Sequence, residues 1–91
     1  MKYKRIIISG RVQGVGFREF LIKEASIIGG LVGYAKNLKN GNIEVIVSGT
    51  DDKIKKFVER CKRGPLLAAV KSVDVEDVDI DETYDSFFVR L

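Results

Sequence analysis

The spacing of apolar positions along the chain switches between extended and helical periods, and the switches mark out the elements. Lys4 to Arg11 is short and β-branched, and reads as a first strand. From Phe17 the apolar positions Phe17, Phe20, Leu21, Ala25 and Ile28 follow the i, i+3, i+4 spacing of a helix buried on one face. Glu19 and Lys23 form a supporting i, i+4 pair outside it. Gly29-Gly30 ends this helix, because glycine takes the left-handed C-terminal position without strain.

Leu31 to Leu38 and Ile43 to Ser48 are two extended runs joined through Lys39-Asn40-Gly41-Asn42. Asn40-Gly41 signals a hairpin, since both residues tolerate the positive φ of a tight turn. Ile43, Val45 and Val47 share one face, with Glu44 and Ser48 on the other. Thr50 is placed as an N-cap, followed by Asp51 and Asp52 at the positive end of a helix dipole. Ile54, Phe57, Val58 and Cys61 make that helix's buried stripe, Lys62 and Arg63 complement its C-terminus, and Gly64-Pro65 stops it. Val70, Val73, Val75 and Val78 lie in a fourth extended segment, and Ser86 to Arg90 reads as a short last strand.

Strand, helix, strand, strand, helix, strand, with one strand added, predicts a sheet covered by helices on one face. This is an α+β two-layer sandwich of the ferredoxin-like βαββαβ kind, mostly antiparallel, with an extra short C-terminal strand. No repeat, low-complexity tract or linker divides the chain, and 91 residues suit one domain, expected over residues 1–91. The fold hosts many functions, so the site must decide.

Composition narrows the choice. At 45% hydrophobic and 32% charged the chain is far from a disordered composition. No apolar run approaches the roughly 20 residues of a membrane span, and Met1-Lys2-Tyr3-Lys4-Arg5 leads into only three isoleucines before Ser9. An unprocessed cytoplasmic monomer with no membrane association is expected. With no His and one Cys, the chain can build neither a His acid/base pair nor a zinc site of the usual Cys/His kind, and no internal disulfide. A phosphatase-type nucleophilic Cys would want an Arg six residues later, where Leu67 stands, so Cys61 is assigned to the core.

The net charge of +3 conceals a polarity. Residues 1–73 hold 15 basic against 6 acidic side chains, a charge of +9, whereas residues 74–91 hold 1 against 7, a charge of −6. A basic body suits an anionic ligand, small or polymeric, and is equally compatible with Lys and Arg solvating the surface. Asp74 to Asp85 is expected to be an acidic edge or loop that nucleic acid would avoid.

The informative segment lies between the first strand and the first helix, Gly10-Arg11-Val12-Gln13-Gly14-Val15-Gly16-Phe17-Arg18. Gly14 and Gly16 let a short loop turn sharply and aim successive backbone N–H groups into one concavity just before a helix N-terminus, which suits phosphate. A tight turn with a surface Arg fits the glycine spacing equally well. The loop is neither a Walker A motif, lacking Gly-Lys-Ser/Thr, nor a dinucleotide fingerprint, since Glu19 occupies the third glycine position.

Two motifs in order make the chain resemble the acylphosphatases. One is Gly10, Val12 to Gly14, Val15, Gly16, Phe17 and Arg18; the other is Gly33-Tyr34-Ala35-Lys36-Asn37 with Gly41 and Gly49 beyond it, and Gly64-Pro65 also falls where that family has a Gly-Pro. The resemblance spans essentially the whole chain. The one departure is Gly29-Gly30-Leu31-Val32, one residue longer than the family's usual turn.

The resemblance implies hydrolysis of the carboxyl-phosphate anhydride bond of acyl phosphates, without metal or cofactor. It implies phosphate held by Gln13, Gly14, Val15, Gly16, Phe17 and Arg18, and water positioned by Asn37, with inorganic phosphate or sulfate competing. The absence of His is compatible with this chemistry, because a carboxylate leaves without a general acid and loose phosphoryl transition states need no strong base. Lys36 and Arg11 are assigned as solvated neighbours adding positive potential. RNA binding on the same fold is one rival, but RNA modules stack bases on sheet aromatics, and here only Tyr34 is a candidate platform. A phosphate-sensing, non-catalytic member of the same family is a second, against which Arg18 and Asn37 are both present.

Overall fold

The computed structural model describes residues 2–91; Met1, included in the expected domain span, lies outside the described residues. The elements are β1 (Lys2–Arg11), α1 (Phe17–Ile28), β2 (Val32–Asn37), β3 (Ile43–Ser48), α2 (Asp51–Arg63), β4 (Ala69–Asp79) and β5 (Phe87–Arg90). The sheet runs β4-β1-β3-β2-β5, with antiparallel pairs except for the parallel β2–β5 pair. β1 starts two residues earlier than its β-branched run, because β4 offers Lys2 a partner as far as Asp79. The acidic run is thus the sheet's edge strand and the loop after it.

Both helices lay their apolar stripes on one face of the sheet. Ile6, Ile8, Ala35, Ile43, Val45 and Val47 from the strands meet Phe17, Leu21 and Ala25 of α1 and Ile54, Phe57 and Cys61 of α2 in one core. Each large side chain buried there stabilises the fold by roughly 1.5–3 kcal/mol. Cys61 is fully buried, and desolvation pushes its thiol up to about 12, which keeps it neutral and unreactive at neutral pH.

The opposite face is not bare. Ile46 alternates away from the core onto that face and packs with Tyr3 and Tyr34 in a second, smaller cluster, with Ile80, Tyr84 and Phe88 laid over it. The chain after β4 therefore folds back across the outer face before adding β5, which the period-two reading of β3 alone does not reveal.

Local details refine three expectations. In the β2–β3 hairpin only Gly41 has positive φ, at 93°. The Asn40 side chain instead accepts the Asn42 N–H at 3.0 Å, and the loop closes through Leu38 N–H to Asn42 O at 2.8 Å and Gly41 N–H to Leu38 O at 3.2 Å. Thr50 occupies the N-cap position of α2 in an extended conformation, but its hydroxyl makes no capping bond, leaving Asp51 and Asp52 to complement the dipole. The longer turn after α1 is absorbed by successive positive φ values at Gly29 and Gly30, and the β2–β3 register runs unbroken from Val32 opposite Ser48 to Asn37 opposite Ile43.

Candidate active site

β1 and β2 both point to the same end of the sheet, so the β1–α1 loop, the β2–β3 hairpin and the turn entering β4 gather there. The approach is bent by a bulge at Ser9/Gly10. Gly10, at φ 114°, has the Ala69 carbonyl and Lys71 amide where a Cβ would stand, so the bulged end of β1 runs this close to β4 only because this residue has no side chain.

The loop alternates anchors and hinges. Val12 and Phe17 are buried and Val15 packs against the same core, while Gly14 and Gly16 between them are exposed. Both glycines are left-handed, at φ 74° and 76°. Open space surrounds their missing side chains, so conformation rather than crowding requires glycine there. Gly16 is also the N-cap of α1 and can offer no capping side chain. Phe20 N–H is the first to reach back, to Gly16 O at 3.0 Å, so the amides of the preceding turn lack helical acceptors. An uncapped helix start behind a glycine turn is a ready anion site.

Arg18 is the second residue of α1 and half-buried; among the described residues no carboxylate lies within ion-pair distance of it. Two cations of β1, by contrast, are paired. Arg5 is held by Glu44 at 2.8 Å and Glu76 at 3.2 Å, which raise its pKa, and Lys4 pairs with Asp77.

Asn37 closes β2 in the row Asn37–Ile43–Ile8, and alternation puts it on the helix-facing side with Ala35. Its Oδ1 is buried without a hydrogen-bond partner in the protein. Lys36 falls on the opposite face, beside Glu44 and Arg90 in register, and Arg11 is exposed opposite Ala69 at the end of β1.

Gln13 joins the two halves of this site. Its Nε2 donates to Leu38 O at 2.7 Å and to Asn42 O at 2.9 Å, the two carbonyls at the neck of the hairpin. Its backbone belongs to the loop, but its side chain points to the strand that carries Asn37. The family resemblance implies phosphate contact for Gln13; its side-chain bridge has no signal in the sequence, since no local pattern reports a contact 25 residues away. Glu24 is a second residue outside those expectations: it is 8% exposed on α1 and faces Arg60 at 3.1 Å and Arg63 at 3.3 Å on α2. The available signal was a carboxylate three positions after Leu21, on the buried stripe.

Tyr34, the candidate RNA platform, is buried in the outer cluster beneath the Arg90 guanidinium, 4.1 Å from its ring centre. No cluster of three or more His, Cys, Asp or Glu side chains is placed to hold a metal ion among the described residues, and no helix is long and apolar enough to cross a membrane.

A ferredoxin-like sandwich with an uncapped, glycine-shaped helix start, and in its first turn an Arg without an ion pair among the described residues, places the chain among small two-layer α+β proteins whose helix N-terminus is open at one end of the sheet. The acylphosphatase family model matches residues 4–89. The chain is 44% identical over 87 residues to an acylphosphatase of Caldivirga maquilingensis, covering 94% of this chain and 90% of that one. It is 46% identical over 78 residues to one of Vibrio parahaemolyticus, covering 86% of each. The crystal structure of acylphosphatase from Bacillus subtilis superposes over the full length of both chains with a TM-score of 0.91 at 35% identity. The chain belongs to the acylphosphatase family and is an enzyme of that kind.

Proposed function

We propose that this enzyme hydrolyses the carboxyl-phosphate anhydride bond of acyl phosphates, releasing carboxylate and inorganic phosphate, with no metal ion. The phosphoryl group sits against the N–H groups of residues 14–18, and the Arg18 guanidinium grips two of its oxygens while remaining charged throughout. Water is held by Asn37 in line with the scissile bond. Its oxygen bonds to phosphorus, the P–O bond to the acyl group breaks, and the carboxylate departs with the electron pair. The water proton passes to a phosphate oxygen, so no side chain need act as base, which suits a chain without His.

The observation that supports this reading best is Asn37 Oδ1, a buried acceptor left unpartnered at a strand end that is tethered to the loop. Buried acceptors are rarely left unpaired, and a positioned water supplies what this one lacks. The test is hydrolysis of benzoyl phosphate in EDTA, with inorganic phosphate as inhibitor. Full turnover with competitive inhibition is expected. Activity lost to EDTA and restored by Mg²⁺ would sink the metal-free mechanism, and purely noncompetitive inhibition would move phosphate away from the loop.

A further inference from the structure

Resting on that reading, we infer that the Gln13 side chain is a positioning residue for Asn37: it sets the water site relative to the phosphate loop rather than binding phosphate. The two halves of the site sit on separate connections. The loop is fixed to the core by Val12, Val15 and Phe17, and Asn37 is fixed by its pairing with Ile43. Neither anchoring specifies the separation between attacking water and phosphorus. Gln13 does so directly, because it leaves the loop one residue before Gly14 and donates to the carbonyl of Leu38, the residue that follows Asn37, as well as to Asn42 O.

These bonds are additional to the hairpin's own. Leu38 O also accepts from Gly41 N–H at 3.2 Å, and Asn42 O from Leu38 N–H at 2.8 Å. The hairpin therefore stays closed without Gln13, and neither carbonyl is orphaned when the amide is removed. What is lost is the cross-link between hairpin and loop. In-line attack tolerates little displacement, and an error of about 1 Å can cost ~10²-fold in rate. A group that only supported the fold would lower stability and phosphate binding together; a group that sets the distance lowers turnover selectively.

The experiment is a double-mutant cycle on benzoyl phosphate hydrolysis with Gln13→Met, which keeps the side chain's bulk and removes its donors, and Asn37→Ala. Gln13→Met alone should lower kcat by about 10- to 100-fold, leave the inhibition constant for phosphate within about twofold, and leave the protein folded. In the Asn37→Ala background the same change should lower kcat less than about threefold, because the water site it places is already gone. Gln13→Glu, which retains length but presents acceptors to two carbonyls, should not rescue kcat.

Independent, additive losses would overturn the inference, as would an unchanged kcat in Gln13→Met or a parallel loss of phosphate binding. If Gln13→Met does not fold, its bonds are structural and the inference is equally overturned. Should the wild type not turn over benzoyl phosphate, or Asn37→Ala turn over normally, the proposed mechanism falls and takes this inference with it. Wild-type turnover with a severe Asn37→Ala defect and no coupling removes Gln13 alone.

Discussion

On the proposed mechanism Arg18 touches the phosphoryl group in the bound substrate and in the transition state, whereas Asn37 touches only the water. Arg18→Ala should therefore lower kcat/KM by about 10³-fold or more and weaken phosphate inhibition as well. Asn37→Ala should lower kcat by roughly 10²- to 10³-fold with phosphate inhibition nearly unchanged. Steady-state kinetics with phosphate as inhibitor separate the two, and near-normal turnover in folded Asn37→Ala would remove it from the mechanism. At this scale the sequence is most legible where one residue type is demanded by its own backbone. Gly14 and Gly16 are left-handed and so had to be glycine. Gln13 and Glu24 are legible only in the fold, because their partners lie 25 and 39 positions away.

Helix ends follow from local chemistry, and where β1 outruns its β-branched run a neighbouring strand is the cause. α1 and α2 end at Gly29 and Gly64 as their glycine signals require, while β1 gains two residues from its pairing with β4. The two helices are joined across their packed faces by Glu24, whose Oε1 accepts from Arg63 Nη2 at 3.3 Å and lies 3.1 Å from Arg60 Nε. Arg60 Nε is buried but not aligned for a hydrogen bond, so the pair with Arg60 is an ion contact only.

Part-buried pairs of this kind contribute little net stability, because desolvating the carboxylate offsets the attraction. Glu24→Leu should change stability by less than about 1 kcal/mol in either direction, since both arginines keep exposed surface and Leu fills the stripe. Gly33→Ala is the contrasting change. With φ at 138° and the Ile46 carbonyl in the position of its missing Cβ, β2 cannot hold its register against β3, and the variant should be destabilised by more than about 3 kcal/mol. Urea midpoints for the two variants should differ widely. A tolerated Gly33→Ala, or a Glu24→Leu loss near 3 kcal/mol, would contradict these packing arguments.

Across the whole molecule, the charge polarity of the chain becomes an internal pairing. The acidic β4 pairs with β1 through Lys4–Asp77 and Arg5–Glu76, and at the candidate site, among the described residues, Arg18 has no carboxylate within ion-pair distance. The two-layer architecture was legible from periodicity, since each helix carries one apolar stripe. The second cluster on the outer face was not, because Tyr3, Tyr34, Ile46, Tyr84 and Phe88 are scattered along the chain and meet only once 80–88 folds back.

The buried core predicts how the molecule responds to alkali. Burial raises the folded-state pKa of Cys61 from 9.0 to about 12, and desolvation together with Glu44 raises that of Tyr34. A group whose pKa is higher in the folded state contributes stability that is fully present below its unfolded pKa. That contribution is lost as pH rises towards the folded value. For Cys61 the window is pH 9 to about 12, where the unfolded thiol ionises and the buried one does not, and the slope approaches ~1.4 kcal/mol per pH unit. Wild type should therefore lose stability faster than Cys61→Val between pH 9 and 10.5, although the two differ little in slope between pH 6 and 8. Urea midpoints across both ranges measure this. Equal alkaline slopes would mean that the Cys61 thiolate is reached by water in the folded state, and rapid alkylation of the native thiol at pH 7.5 would establish the same point independently.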